Sequence, residues 1–334
     1  VVSNIVVSRS ATDVLTVTFS VADTSGDPVS GIGLVSPSSG SDIRVYMAAI
    51  VAAGTPTANL PQSTWDTDFL EMWTEQRASD AGVTLTEPTP GNYSFVMDAG
   101  ALAAIGGADA LEAAITDMQR VYVRADARDF EGFNRTMGVA DFAMPAAGAS
   151  TGVISSTTRT IVDASACTAC HSDPLQNAAH GGGYQSPQVC IMCHSPIGER
   201  GDEMQHSEAW LASLIHKIHA AITMDAFPTR VTDEGYAGVT YPKNIQDCEV
   251  CHFDNGQDMA DAWKSNPTAE VCATCHTSVD FATGTNHVGG AQATNAACSA
   301  CHSASAIAGN HTVTTLKAPD KDGNPVSITP AFDT

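Results

Sequence analysis

Ten cysteines fall at positions 167 and 170, 190 and 193, 248 and 251, 272 and 275, and 298 and 301, and none is left over. Each pair is Cys-x-x-Cys, and each is followed at once by histidine: CTACH, CIMCH, CEVCH, CATCH and CSACH. A disulfide framework suits an even cysteine count but gives no reason for the histidines. Zinc ribbons also use Cys-x-x-Cys, yet they do not need an adjacent His five times over. With 11 histidines in 334 residues, five such adjacencies are not chance. Covalent c-type haem attachment does require this pentapeptide. The two thiols form thioethers to the haem vinyl groups, and the next imidazole sits beneath the iron. The pattern therefore predicts five covalently attached haem c groups. They are held by Cys167 and Cys170, Cys190 and Cys193, Cys248 and Cys251, Cys272 and Cys275, and Cys298 and Cys301. The proximal iron ligands are His171, His194, His252, His276 and His302.

Five porphyrins within residues 167–311 leave little chain for a conventional core. The composition agrees. Apolar residues make up 43% of the chain but aromatics only 6%, so the protein alone is short of bulk that porphyrins would supply. The balance of 15 basic against 37 acidic residues, net −22, argues against nucleic acid and anionic lipid, which need clustered cations. The longest apolar run, MAAIVAA at 47–53, is far short of the ~20 residues of a membrane span. No signal-peptide pattern opens the sequence.

Function turns on the sixth coordination position: an open one binds and activates small molecules, a filled one passes electrons. Six histidines remain: His180, His206, His216, His219, His287 and His311. All lie in the haem region, whereas the first 166 residues contain none. Five irons need five distal ligands, so one is spare. His206, in the polar stretch GERGDEMQHSEAW, is the expected spare. In SLIHKIHAA (213–221), His216 and His219 stand three apart. On a helix they diverge by about 60° and can reach two different irons. His180 precedes Gly181-Gly182-Gly183, and His287 precedes Gly289-Gly290, where bare backbone can lie against a flat ring. Met192 and Met259 are the alternative axial ligands, less favoured because histidines are in surplus.

The order CTACHSDPLQNAAHGGGY, CIMCH, LIHKIH, CEVCH, CATCHTSVDFATGTNH, CSACHSASAIAGNH over residues 160–311 resembles a pentahaem domain of the outer-membrane decahaem cytochromes, the OmcA/MtrC family of metal-reducing bacteria. The resemblance implies bis-histidine haems with His180, His216, His219, His287 and His311 as the distal set. His206 has no counterpart in it. It also implies a β-rich domain before the pentahaem domain, a cell-surface location, and electron delivery to extracellular acceptors such as metal oxides or flavins. Other redox proteins or further haem domains would be the partners. On this reading the chain is an electron carrier rather than a substrate-specific enzyme, although terminal metal reduction is compatible with it. A multihaem reductase with one open haem, a subunit of an extracellular cytochrome filament, and a periplasmic shuttle are the alternatives.

The N-terminal half reads as strands. LTVTFSV (15–21) and YSFVM (93–97) alternate, and IRVYM (43–47) and MQRVYVRADA (118–127) are further candidates. SGDP (25–28) and PTPGN (88–92) read as turns, and GADALEAAITDM (107–118) as a short helix. The expected architecture is an N-terminal antiparallel β-barrel or sandwich of Greek-key type over 1–150. A pentahaem domain with short helices and much irregular structure follows over 151–312. The linker is read at 145–158. The β domain offers no catalytic motif; docking, shielding of haem edges and scaffolding are its expected roles. VADTSGDPVS (21–30) and APDKDGNPVS (318–327) share a pattern, so the tail 313–334 reads as the first strand of a second β domain, or as a strand for self-assembly. Asp320 and Asp322 raise a calcium loop, but their spacing departs from the EF-hand pattern.

Overall fold

The computed structural model describes residues 1–35, 37–38, 40–52, 69–98, 118–151, 160–171, 175, 180, 183–195, 210–220, 241–254, 259–292 and 294–311. The expected helix at 107–118 lies outside these residues up to Met118, as do His206 and the tail from 312 on.

Among the described residues, nine antiparallel strands form two sheets. One has the order β5-β6-β2-β1-β9, the other β4-β3-β7-β8. Their bounds are β1 Val2–Arg9, β2 Leu15–Val21, β3 Asp42–Val51, β4 Phe69–Arg77, β5 Val83–Thr89, β6 Asn92–Met97, β7 Met118–Asp126, β8 Arg135–Ala143 and β9 Ala149–Thr151. Period-two side chains build the core between the sheets. Leu15, Val17, Phe19 and Val21 of β2, with Tyr93, Phe95 and Met97 of β6, meet Ile43, Val45 and Met47 of β3 and Val121, Val123 and Ala125 of β7. The described strands pair within two separate sheets, so they make a sandwich and no closed barrel. Gly91 turns β5 into β6 at φ +72°, where a Cβ would run into Pro28 and the Val21 carbonyl.

Two features depart from the expectation. The segment 145–158 read as linker contains β9, which pairs with β1 through Val7↔Thr151, Ser8↔Ser150 and Arg9↔Ala149. An open strand edge needs partners for its backbone groups, and a polar Ala/Ser/Thr segment can supply them as well as an apolar one. Strands β3 and β7 do not alternate in burial: from Val45 to Val51 and from Gln119 to Asp126 every residue is buried. Their second face is covered as well. Tyr46, Ala48, Ile50, Leu70, Met72 and Tyr122 form a second apolar cluster with Val189 and Met192.

The chain divides into two compact units. One comprises 1–159 with 167–203, the other 160–166 with 204–334. The first two Cys-x-x-Cys-His motifs thus share a unit with the sandwich, and the last three share the other. Around the motifs lie short helices: α1 Ala164–Thr168, α2 Pro187–Cys193, α3 Leu211–His219, α4 Ala262–Ser265, α5 Ala269–Cys272, α6 Cys298–Cys301 and α7 Ala304–His311. Among the described residues, no helix is long and apolar enough to cross a membrane.

Candidate haem-binding site

Each motif closes one helical turn. The histidine N–H donates to the carbonyl of the first cysteine at 2.9 Å in His171, His194, His252 and His276, and at 2.8 Å in His302. That turn sets both thiols and the imidazole on one short segment, which is why the spacing of two residues is obligatory. In the second motif Ser186 caps α2, accepting from the Gln188 N–H at 3.1 Å, and Pro187 occupies the first turn. None of the ten cysteines is in a disulfide. Burial, then the neighbouring Cys167, pushes the Cys190 thiol up to about 11. Burial and Cys275 do the same to Cys248, and burial and Cys298 to Cys272, each to about 11. Asn295 ties the last two motifs, accepting from the Ala269 N–H at 2.7 Å and donating to Glu270 at 3.0 Å.

Four proximal histidines face a second imidazole. Ring centroids are 5.9 Å apart for His194 and His180, 6.2 Å for His252 and His216, 6.4 Å for His276 and His311, and 6.2 Å for His302 and His287. These separations are too long for stacking contact, but they suit an ion held between the rings. A metal–imidazole bond of about 2 Å on each face, with the ring centre about 1 Å beyond each nitrogen, puts the centroids roughly 6 Å apart. The sites come as two facing imidazoles; among the described residues no group of three or more His, Cys, Asp or Glu is arranged to hold a metal ion. Two protein ligands on opposite faces leave the equatorial positions to a macrocycle. The residues present therefore fit haem.

The distal rings are also prepared chemically. Nδ1 of His216 meets the Ala212 carbonyl at 2.6 Å, that of His219 the Ile215 carbonyl at 2.9 Å, that of His287 the Gly290 carbonyl at 2.7 Å, and that of His311 the Ile307 carbonyl at 2.8 Å. A carbonyl only accepts, so Nδ1 carries the proton and Nε2 keeps its lone pair for a metal. Burial lowers the His216 and His252 pKa values, that of His252 to about 4, with the facing His216 adding to it. Both shifts favour the neutral ring, the form that could ligate a metal. His180 holds the left-handed φ of +51°. A non-glycine residue adopts this at a cost of about 1–2 kcal/mol, and here it turns the ring to His194.

His216 and His219 have different neighbours, as their angular separation requires. His216 faces His252, whereas the His219 ring meets Tyr241 edge-on at 5.4 Å. Met192, the alternative axial ligand, is 1% exposed and packs with the second apolar cluster. Sequence reading missed the sheet's part in the site. Arg120, Tyr122 and Arg124 alternate with Val121, Val123 and Ala125 on β7, and that alternation of buried polar and apolar positions was the available signal. Tyr122 donates to the Gly183 carbonyl at 2.6 Å, and Arg120 to the Gln188 carbonyl at 3.0 Å. The space left by the missing Cβ of Gly183 takes the flat guanidinium of Arg124, whose Nη1 would lie 3.0 Å from such a Cβ.

Residues 159–313 match the family model for outer membrane cytochrome MtrC/MtrF-like, domains II/IV. These residues are similar to that family's domain. The multiheme cytochrome MtrC of Shewanella baltica (strain OS185) is 31% identical over 166 residues, which are 49% of this chain and 21% of that protein. The crystal structure of MtrC from Shewanella baltica OS185 superposes with a TM-score of 0.66 at 23% identity, covering 93% of this chain and 45% of that one. The outer membrane decaheme cytochrome OmcA superposes with a TM-score of 0.59 at 19% identity, over 83% of this chain and 43% of that one. The likeness in fold thus extends beyond the MtrC/MtrF-like domain into the sandwich. The chain spans less than half the length of these relatives.

Proposed function

We propose that the chain passes electrons along five covalently bound c-type haems and delivers them outside the cell, to other redox proteins or to acceptors such as metal oxides and flavins. One observation carries the reading: four of the five proximal histidines face a second imidazole at 5.9–6.4 Å. Haem supplies a one-electron iron couple with no bond to make or break. The protein's residues fill both axial positions, so nothing at these four sites is left to bind a substrate. Histidines 180, 216, 219, 287 and 311 serve as distal ligands, and the backbone carbonyls behind His216, His219, His287 and His311 fix the tautomer. The sandwich scaffolds the second motif. The similarity of residues 159–313 to an outer-membrane cytochrome domain supports a cell-surface address.

Ferric EPR of the purified holoprotein, with haem counted per polypeptide, tests this. Five haems per chain, all low-spin, are expected. A high-spin signal at full haem loading overturns the reading in favour of a reductase with one open haem.

A further inference from the structure

Strand β7 presents three polar side chains to the segment that carries the second motif, and they are not equally satisfied. Arg120 is completely buried and fully used. Its Nε and Nη2 donate to the two oxygens of Asp141 at 2.7 and 3.0 Å, and its Nη1 to the Gln188 carbonyl. Tyr122 spends its hydroxyl on the Gly183 carbonyl. Arg124 is different. It is 7% exposed, and its buried Nε has no hydrogen-bond partner. The Asp126 carboxylate lies 3.7 Å from Nη2, beyond hydrogen-bond length. Both oxygens of Asp126 are already committed: Arg128 donates to Oδ1 at 2.8 Å and to Oδ2 at 3.0 Å, and Arg135 donates to Oδ2 at 2.8 Å. Asp42, whose charge also reaches Arg124, accepts from Arg44 at 2.9 Å through Oδ2, and its buried Oδ1 makes no hydrogen bond to Arg124.

A buried guanidinium short of an acceptor is costly, and such a group points to an anion. Its position says which one. Arg124 lies over the Tyr184 ring at 5.7 Å, Tyr184 stands edge-on to His180 at 5.8 Å, and His180 faces His194 at 5.9 Å. One aromatic ring therefore separates the cation from a paired-imidazole site. A haem brings two propionate carboxylates to its site, and a guanidinium fork matches a carboxylate. We propose that Arg124 binds a propionate of the haem held by His194 and His180, and that its charge raises the reduction potential of that haem. The inference rests on the haem reading of this pair. The sign follows from electrostatics. Reduction adds one negative charge to the centre, and a positive charge held in a poorly screened interior favours the reduced form.

Potentiometric titration of the full-length holoprotein tests it, with Arg124→Gln and Arg124→Lys compared with wild type. Arg124→Gln is expected to lower one of the five midpoints and leave the other four unchanged. The reduced-to-oxidised ratio of that haem at fixed potential should fall about tenfold, which is 59 mV for one electron. Arg124→Lys keeps the charge but loses the fork, and should give less than half that shift. Repeating Arg124→Gln in a His180→Ala background identifies the haem, because the opened site is high-spin and can be followed separately; its midpoint should fall too. If Arg124→Gln does not fold, Arg124→Lys must still lower the same midpoint. Five bound haems with unchanged midpoints overturn this proposal alone. Loss of haem stoichiometry in the wild type overturns the haem reading beneath it.

Discussion

Single histidines carry more information than their number suggests. Three facing pairs are close to parallel, with interplanar angles of 25°, 12° and 20° for His180–His194, His216–His252 and His287–His302. The pair His276–His311 is crossed at 89°. Parallel axial planes lift the near-degeneracy of the iron d orbitals, whereas crossed planes preserve it and stretch the largest g value. One highly anisotropic low-spin EPR signal per chain is therefore expected beside ordinary rhombic ones. His311→Ala should remove that signal and create one high-spin haem, leaving the rhombic signals in place. Retention of the anisotropic signal in His311→Ala would show that His311 is not the ligand. The attachment motifs were legible in the sequence because thioether chemistry fixes the spacing around each candidate proximal histidine. Which distal histidine meets which proximal one was not legible, because helices such as α7 and loops such as that of His287 bring them together only in the fold.

At the scale of elements, the sandwich strands followed from alternation, and β2 shows it plainly: Leu15, Val17, Phe19 and Val21 all point into the core. The covering of the outer face of β3 and β7 did not follow. A strand buried on both sides reads as a continuous mixed run, and only its partner tells why. That partner is α2, fastened by Val189 and Met192 on apolar ground and by Arg120, which donates to the Gln188 carbonyl at 3.0 Å while pairing with Asp141 at 2.7 Å. Both members of this pair are fully buried, so removing one leaves an uncompensated charge. Asp141→Ala is expected to destabilise the first unit by about 3–5 kcal/mol in denaturant unfolding of the holoprotein. A much smaller loss would mean that water reaches Arg120. Replacing both residues by apolar ones of similar size should cost less than the single change, since the desolvated charge then disappears as well.

For the whole molecule, the sequence suggests a cut after residue 150 while the compact units divide the chain elsewhere, with residues 167–203 in the sandwich unit. A polypeptide ending at 150 would uncover Tyr46, Ala48, Ile50, Leu70, Met72 and Tyr122 on one sheet face. Such a patch drives association. We expect residues 1–150 to self-associate and residues 1–203, matured with two haems, to remain monomeric; light scattering and haem-to-protein ratio distinguish them. A monomeric, cooperatively folded 1–150 would instead establish the boundary suggested by the sequence.

The two-sided burial of β3 and β7 has a consequence for how this protein can vary. In an ordinary sandwich, every second residue of a strand faces water and is free to drift. In β3 and β7 that freedom is gone, because one side packs the sandwich and the other seats α2 and the second motif. Neutral divergence is thus pushed onto the opposite sheet, to outward positions such as Thr18 of β2 and Thr84 and Thr86 of β5, which remain exposed. Two lineages of this chain would differ most at these exposed outward positions.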